Sequence, residues 1–374
     1  MIIGIDGRAL QLRSAKERWS GVGQYTYHLL HALFALDTEN EYVIWYNGVG
    51  NIVTPNFSEY SNVHIARTRW PNKLLNVWMK IFKYSLFPSR RFGSGERIGL
   101  FFMPNINFIA LPSETKLVAV AHDLSFEHFP EFFSWKSRMW HKALNPRTLF
   151  TRADYVIAVS EHTKEDVAET YGIGEYKISV IYPGVNVEAT FRSPQWRPED
   201  RRYILYFGAL EPRKNIIGII EAFERLKPRE MLVLAGLSTS YTKELKKRIA
   251  QSRLHDRIIL KENPTEEEKT KLYAGAHVFV YPSYYEGFGF PPLEAMAAGV
   301  PVVASSVSSV SEICGDAALL VSPWSVQEIK DGMKILIEDE EMRKTYITAG
   351  YARVKEFSWE QSARKVKDIF HSLA

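Results

Sequence analysis

YILYFGALEPRKNIIGIIEAFERL (203–226) reads as one buried strand, a short turn and one helix. Its first eight residues are apolar and aromatic without alternation, as in a strand covered on both faces. The last twelve carry Ile, Ala, Phe and Leu at helical spacing. The chain has already run through the same pattern once, in IIGID (2–6), QYTYHLLHALFAL (24–36), EYVIWY (41–46), KLVAVAH (116–122), YVIAVS (155–160) and HTKEDVAETY (162–171). Beyond 226 it continues through MLVLAG (231–236), RIILKE (257–262), HVFVYPS (277–283) and VPVVAS (300–305). Alternating strands and helices predict parallel sheets with helices on their faces, and hence an α/β fold. Pro183-Gly184 and a polar stretch near 192–202 separate the two runs. The expected domains are therefore 1–190 and 191–357, with an amphipathic helix in 358–374. A ligand is expected where two such sheets present the carboxyl ends of their strands to a cleft.

Composition narrows the function. At ~150 residues per domain, 374 residues suit two domains, possible third included. Hydrophobic residues at 46% and charged residues at 24% exclude a disordered or collagenous chain. With 47 basic and 43 acidic residues the net charge is +4, which predicts no nucleic-acid partner. The single cysteine, Cys314, can form neither an intramolecular disulfide nor a zinc–thiolate cluster, so a reducing compartment, the cytoplasm, is expected. The start MIIGID lacks the features of a signal peptide, and no apolar stretch approaches the ~20 residues that span a bilayer. Any membrane contact is expected to be peripheral.

Four stretches carry chemistry. In SGVGQYTYHLL (20–30), Gly21 and Gly23 precede a helix whose free amides and dipole attract an anion; the alternative is a plain glycine-rich helix start. In GALEPRKN (208–215), Arg213 and Lys214 stand before a helix that Asn215 would cap. Cations there oppose the helix dipole at a cost of roughly 0.3–1 kcal/mol each, which makes sense if a diphosphate lies between them. A solvated basic loop is the competing reading. In YYEGFGFPPLEAMAAGVPVVAS (284–305), Glu286 follows a strand, glycines free the loop, and Pro291 and Pro292 suit the start of a helix with Glu294 in its first turn. Carboxylates accept from sugar and ribose hydroxyls, and the amides of Gly289 and Phe290 are candidates for phosphate. Finally, His122 ends the strand KLVAVA, where it is placed to touch a ligand; a structural histidine is the alternative.

Together EGFGFPPLEAMAAGVPVVAS, GALEPRKN, HDL, VSEHTKED, IYPGVN and GVGQYT resemble the family 4 retaining glycosyltransferases, in their mannosyltransferase-like branch. The motifs appear in the family's order from about residue 2 to 305. The resemblance implies a GT-B fold, two Rossmann-like domains with parallel sheets facing a central cleft, the first for acceptor and the second for nucleotide sugar, and a final helix in 358–374 that crosses back to the first domain. It implies Glu286 near the donor sugar hydroxyls, Glu294 on the ribose diol, and Arg213 and Lys214 on the diphosphate, with the amides around Phe288, Gly289 and Phe290 holding phosphate or sugar. Gly208 belongs to the same donor set, Glu262 lies near the base, His122 beside the donor sugar, and Gly21 and Gly23 face the diphosphate. Ala209 departs from the pattern where many members carry a further Arg.

Sugar transfer develops negative charge on the leaving phosphate, and fixed cations stabilise it without reorganisation. The chain has no D-x-D triplet to hold a divalent metal, so no metal and no cofactor is expected, and catalysis is assigned to His122, Arg213, Lys214 and Glu286. The expected activity is transfer of mannose from GDP-mannose to a saccharide acceptor, such as a lipid-linked precursor of a cell-surface polysaccharide. The alternatives are a glucosyl- or galactosyltransferase using a UDP- or ADP-sugar, and a non-catalytic nucleotide-sugar-binding protein at a membrane. Same-face attack of the acceptor is favoured over a carboxylate nucleophile. From Tyr60 to Gly95 there is no acid but seven basic residues. At 100° per residue Lys73, Asn76, Lys80 and Lys83 share one helix face, opposite Leu75, Trp78 and Phe82, which predicts a helix that lies on an anionic membrane.

Overall fold

The computed structural model describes residues 1–12, 14, 19–82, 97–186 and 202–374. The chain divides into two compact units: Met1–Leu124, Phe133–Gly184 and Ser358–Ala374 form unit 1, and Ser125–Phe132 with Val185–Phe357 form unit 2.

Unit 1 holds β1 (Ile2–Asp6), α1 (Gly21–Leu36), β2 (Glu41–Asn47), β3 (Val63–Thr68), α2 (Asn72–Phe82), β4 (Leu100–Met103) and β5 (Lys116–Ala121). The short α3 (Ser125–His128) belongs to unit 2, and unit 1 resumes with α4 (Trp135–Leu144), α5 (Pro146–Arg152), β6 (Tyr155–Ala158), α6 (Glu161–Tyr171) and β7 (Ile178–Val180). Its seven strands are all parallel, in the order β3-β2-β1-β4-β5-β6-β7. Five consecutive buried residues in β1 and five in β5 show why these strands read as unbroken apolar runs: helices cover both faces.

Unit 2 continues with β8 (Tyr203–Phe207), α7 (Ile216–Leu226), β9 (Met231–Gly236), α8 (Thr242–Ala250), β10 (Ile258–Glu262), α9 (Glu266–Gly275), β11 (Val278–Tyr281) and α10 (Phe290–Ala297). It ends with β12 (Val302–Ser305), α11 (Ser308–Cys314), β13 (Leu319–Val321), α12 (Val326–Glu338) and α13 (Glu340–Val354). Its six parallel strands run β10-β9-β8-β11-β12-β13. At its centre the backbones of β8 and β9 nearly touch, because a Cβ on Gly236 would stand 1.5 Å from the Gly208 carbonyl oxygen. Only glycine fits there.

The final helix, α14 (Trp359–Ser372), packs on α1 within unit 1. It buries Ala363, Val366 and Phe370, and Phe370 meets Phe102 edge to face at 5.3 Å. Fully burying such a side chain contributes about 1.5–3 kcal/mol. Ser362 donates from its hydroxyl to the Tyr182 carbonyl at 2.6 Å, and Lys367 reaches the buried Asp37 carboxylate at 3.6 Å. Among the described residues no helix is long and apolar enough to cross a membrane.

Two readings need adjustment. The first helix begins at Gly21 rather than at Gln24, so Gly21 and Gly23 form its first turn. Strands β3, β4, β7 and β13 escaped the reading of periodicity, being three to six residues long, and β3 is mostly exposed.

Candidate functional site

Strand order in unit 2 reverses between β8 and β11, and there a parallel sheet leaves a crevice at the carboxyl ends of its strands. Two of the loops singled out in the sequence leave from these neighbouring strands. After β8 the chain makes a tight turn over Pro212–Lys214, and Asn215 then takes a left-handed conformation with φ 57°. Asn215 holds the N-cap position of α7 but does not cap with its side chain. Instead its amide donates to the Pro323 carbonyl at 2.6 Å and its carbonyl accepts from the Tyr284 hydroxyl at 2.9 Å, tying three loops together.

The turn delivers both cations to Glu286. Oε1 of Glu286 accepts from Lys214 Nζ at 2.5 Å, from the Ser283 hydroxyl at 2.6 Å and from the Tyr281 hydroxyl at 2.9 Å. Its Oε2 accepts from Arg213 Nη1 at 3.0 Å, and the same nitrogen donates to the Tyr285 carbonyl at 2.5 Å. The side chains of Arg213, Lys214 and Glu286 are only 13%, 8% and 8% exposed. Burial pushes the Glu286 carboxyl up, but the Arg213 and Lys214 charges outweigh it and hold the group at about 2. Burial, aided by the Arg213 charge, presses the Lys214 ammonium below its ordinary value while Glu286 opposes the shift. Two cations thus share one buried carboxylate. A second carboxylate, Glu211, stands 3.8 Å from Arg213 and is 40% exposed, so water weakens its hold.

The Glu286 loop is fixed from behind. The Glu286 amide donates to the Ser308 hydroxyl at 3.1 Å, and the Ser309 hydroxyl donates to the carbonyls of Glu286 at 2.9 Å and Phe288 at 3.0 Å. Phe288 is buried, and Gly289 sits at φ 102°, a conformation open to glycine, just before Phe290 opens α10. Because α10 starts at Phe290, Glu294 lies in its second turn rather than its first, and it does not serve the first-turn dipole. Both its oxygens are engaged by α9: Lys269 Nζ donates to Oε1 at 2.6 Å and the Tyr273 hydroxyl to Oε2 at 2.9 Å. At the end of β10 Glu262 meets Lys246 at 2.5 Å and the Ser238 hydroxyl at 2.8 Å, contacts that hold its carboxyl below the ordinary value. Gly208 ends β8, where its amide donates to the Ala235 carbonyl at 3.0 Å. Arg213, Lys214 and Glu286 therefore meet directly, whereas Glu294 and Glu262 each have partners of their own.

In unit 1, His122 follows β5 and is held by an Nε2–Pro104 carbonyl contact of 2.7 Å and by the Tyr25 ring, edge on at 4.7 Å. The carbonyl can only accept, so the proton sits on Nε2 and Nδ1 is left as an acceptor. Burial keeps the imidazole below its ordinary value, which favours the neutral form. Gly21 and Gly23 differ: a Cβ on Gly21 would meet nothing within 4 Å, while one on Gly23 would stand 2.6 Å from Cβ of Trp19. The Gly23 amide is already used, donating to the Ser20 cap at 3.3 Å.

An amphipathic helix is present at this place as α2, turned differently from the expected wheel. Leu75 and Met79 are buried, Trp78 is half-buried and tilted against Trp70, and Lys73 and Lys80 are exposed together with Leu74 (59%) and Val77 (53%). Lys83 lies outside the described residues.

The sequence reading missed Tyr281 and Ser283, whose hydroxyls complete the shell of Glu286. Their spacing of two at the end of a strand, which turns both to one face, was the available signal. It also missed a buried pair where the first sheet reverses, between β1 and β4. There Arg8 donates to both oxygens of Asp6, at 2.8 and 2.7 Å, and to the Phe108 carbonyl at 2.8 Å, with its guanidinium 4.5 Å from the Trp45 ring centre.

Comparison with known proteins agrees with this architecture. Residues 19–189 match the model described as Glycosyltransferase Family 4, and residues 187–353 match Glycosyl transferases group 1. The O-antigen chain mannosyltransferase B of Escherichia coli is 31% identical over 270 residues, 69% of this chain and 71% of that protein. The O-antigen chain mannosyltransferase RfbU of Salmonella typhimurium is 32% identical over 54% of this chain and 55% of its own length. Among solved structures, sucrose-phosphate synthase from Thermosynechococcus elongatus superposes with a TM-score of 0.76 at 19% identity, covering 100% of this chain and 98% of that one. HepE from Anabaena, solved with UDP and glucose, does so with 0.69 at 18% identity over 99% of both chains. Two parallel-sheet units in this order, the basic pair on its carboxylate and the relatives converge: the chain belongs to the family 4 glycosyltransferases, with the GT-B architecture.

Proposed function

We propose that the protein transfers mannose from GDP-mannose to a saccharide acceptor, a lipid-linked precursor of a surface polysaccharide, with retention and without a metal. The observation that carries this reading is the sharing of one buried carboxylate, Glu286, by Arg213 and Lys214 at the reversal of the second sheet. The surplus positive charge suits a diphosphate, and the names of the two O-antigen mannosyltransferases favour mannose. Unit 2 is assigned the donor, with Gly208, Glu262, Phe288, Gly289, Phe290 and Glu294 around it. Unit 1 is assigned the acceptor.

In the reaction the bond from C1 to the phosphate oxygen breaks, and its electron pair stays on the phosphate, where Arg213 and Lys214 stabilise it. The acceptor oxygen bonds to C1 from the same face and its proton passes to the departing phosphate. Glu286 is a poor nucleophile, because its oxygens already accept four hydrogen bonds, three of them at Oε1; it holds the cations, and Oε2, with one, keeps acceptor capacity for a sugar hydroxyl. The charge that develops on the leaving group is assigned to the basic pair, Arg213 and Lys214. The exposed Lys73, Leu74, Val77 and Lys80 of α2 are assigned to the bilayer that carries the acceptor.

The test is a panel of GDP-, UDP- and ADP-sugars offered with a lipid-linked oligosaccharide in the presence of EDTA. The expected result is α-mannoside formed from GDP-mannose alone. Transfer from a UDP-sugar, an inverted product or loss of turnover with EDTA would each remove the corresponding part of the proposal.

A further inference from the structure

A second helix of unit 1 carries the same combination of charge and exposed apolar surface as α2. From Phe132 to Ala153 the sequence contains no Asp or Glu but five cations: Lys136, Arg138, Lys142, Arg147 and Arg152. Helix α4 lies within this stretch, and its outer side exposes Trp135 at 65% and Met139 at 62%. At 100° per residue Lys142, Trp135 and Met139 fall within about 60° of arc, flanked by Arg138 and Lys136. Leu144, on the opposite side, is buried. Among the described residues no carboxylate pairs with Lys136, Arg138 or Lys142, whose side chains are exposed.

Single exposed apolar residues are ordinary, but two large ones side by side on a short helix amid unopposed cations are not. Tryptophan beside lysine and arginine suits one environment in particular, the level of the lipid headgroups, where the indole has an apolar and a wet side and the cations meet anionic phosphate. We propose that α4 docks on an anionic bilayer surface, with Trp135 and Met139 entering the headgroup layer and Lys136, Arg138 and Lys142 on lipid phosphates.

The position of α4 in unit 1 supports this. Both α2 and α4 belong to unit 1, although the chain reaches α4 from β5 by way of α3 in unit 2. A chain of contacts within unit 1 runs from one to the other. Trp140 meets the Phe108 ring at 6.1 Å; the Phe108 carbonyl accepts from Arg8, which lies on Trp45; and Trp45 donates to Thr68 at 3.0 Å. Thr68 in turn donates to Asn47, whose amide donates to Asn72 at the start of α2, at 2.6 Å. The inference extends to α4 the bilayer contact proposed for α2, and the two are separable by experiment.

Flotation of the full chain with mixed phosphatidylglycerol–phosphatidylcholine vesicles, and with pure phosphatidylcholine vesicles, tests it. Each cation near an anionic surface is worth roughly fivefold in partition. Lys136→Gln/Arg138→Gln/Lys142→Gln is therefore expected to lower binding to the mixed vesicles at least tenfold, and Trp135→Ser/Met139→Ser to lower it comparably, both with unchanged melting temperature. Wild-type binding to the mixed vesicles by either α4 variant, with loss only in Lys73→Gln/Lys80→Gln, would overturn the role of α4 and leave that of α2. Failure of the wild type to float with the mixed vesicles, or equal flotation with neutral ones, would overturn both.

Discussion

Lys214 Nζ stands 2.5 Å from Glu286 Oε1 with both side chains 8% exposed, and the pair is not self-contained, because Arg213 shares the same carboxylate. Removing one partner of such a buried pair leaves the other charge without its match, and breaking a buried pair typically costs about 3–5 kcal/mol. Arg213 remains to satisfy Glu286, so the loss on changing Lys214 to Met is expected at the lower end or below. The mirror change, Glu286→Gln, leaves two buried cations facing each other with only the more distant, exposed Glu211 carboxylate beside Arg213. Thermal melts should therefore rank Glu286→Gln as the less stable of the two, and Lys214→Met/Glu286→Gln should lose less than the sum of the single changes. Additive losses would show that the three groups do not act as a unit.

Transfer should respond more sharply than stability. Removing one donor from a site that stabilises developing negative charge costs roughly 10²–10³ in kcat. Lys214→Met is expected to lose that much while still melting cooperatively. Arg can present two parallel hydrogen bonds to a phosphate where Lys is a point charge, so Arg213→Lys should also lose rate although its charge is kept. Steady-state rates with saturating acceptor measure both, and an unchanged kcat in Lys214→Met would detach the basic pair from the leaving group.

Much of this site was legible before any coordinates. Glu286, Arg213 and Lys214 follow apolar strands, and in a parallel sheet the carboxyl ends of neighbouring strands gather whatever their loops carry. What sequence could not supply was pairing across distance. Lys269 and Tyr273, on a helix that ends nineteen positions before Glu294, occupy both of its oxygens. The helical wheel of α2 identified an amphipathic helix, but not that the core would take the arc of Leu75 and Met79 and leave Leu74 and Val77 beside the lysines. A wheel gives relative angles; which arc faces inward depends on the neighbour.

Acidification should lower stability over two pH windows, one for His122 and one for Glu286. His122 titrates below its ordinary value in the folded state, so its unfolded form binds the proton first, and stability present above about pH 6.5 declines as the pH falls below it. Glu286, held at about 2 against an ordinary 4.5, contributes stability above 4.5 that is lost as the pH falls toward 2. His122→Gln should flatten the upper slope of stability against pH and Glu286→Gln the lower. Denaturant melts across this range provide the measurement, and parallel curves for all three proteins would contradict the assignments.

Gly21 and Gly23 look alike in the sequence and should behave differently on substitution. Alanine at Gly21 meets open space at the first position of α1 and exchanges the helix former least favoured after proline for the best, a gain of up to about 1 kcal/mol. Alanine at Gly23 must displace Trp19, whose Cβ would stand 2.6 Å away, and would also press the Ala9 carbonyl at 3.0 Å. Gly23→Ala is therefore expected to lower the melting temperature by several degrees and Gly21→Ala to leave it level or raise it. Because the Gly23 amide is committed to Ser20, any anion drawn to this turn must use the amides before it. Loss of transfer in Gly21→Ala at full stability would place a ligand against that open side, whereas normal transfer would make Gly21 a helix start and nothing more.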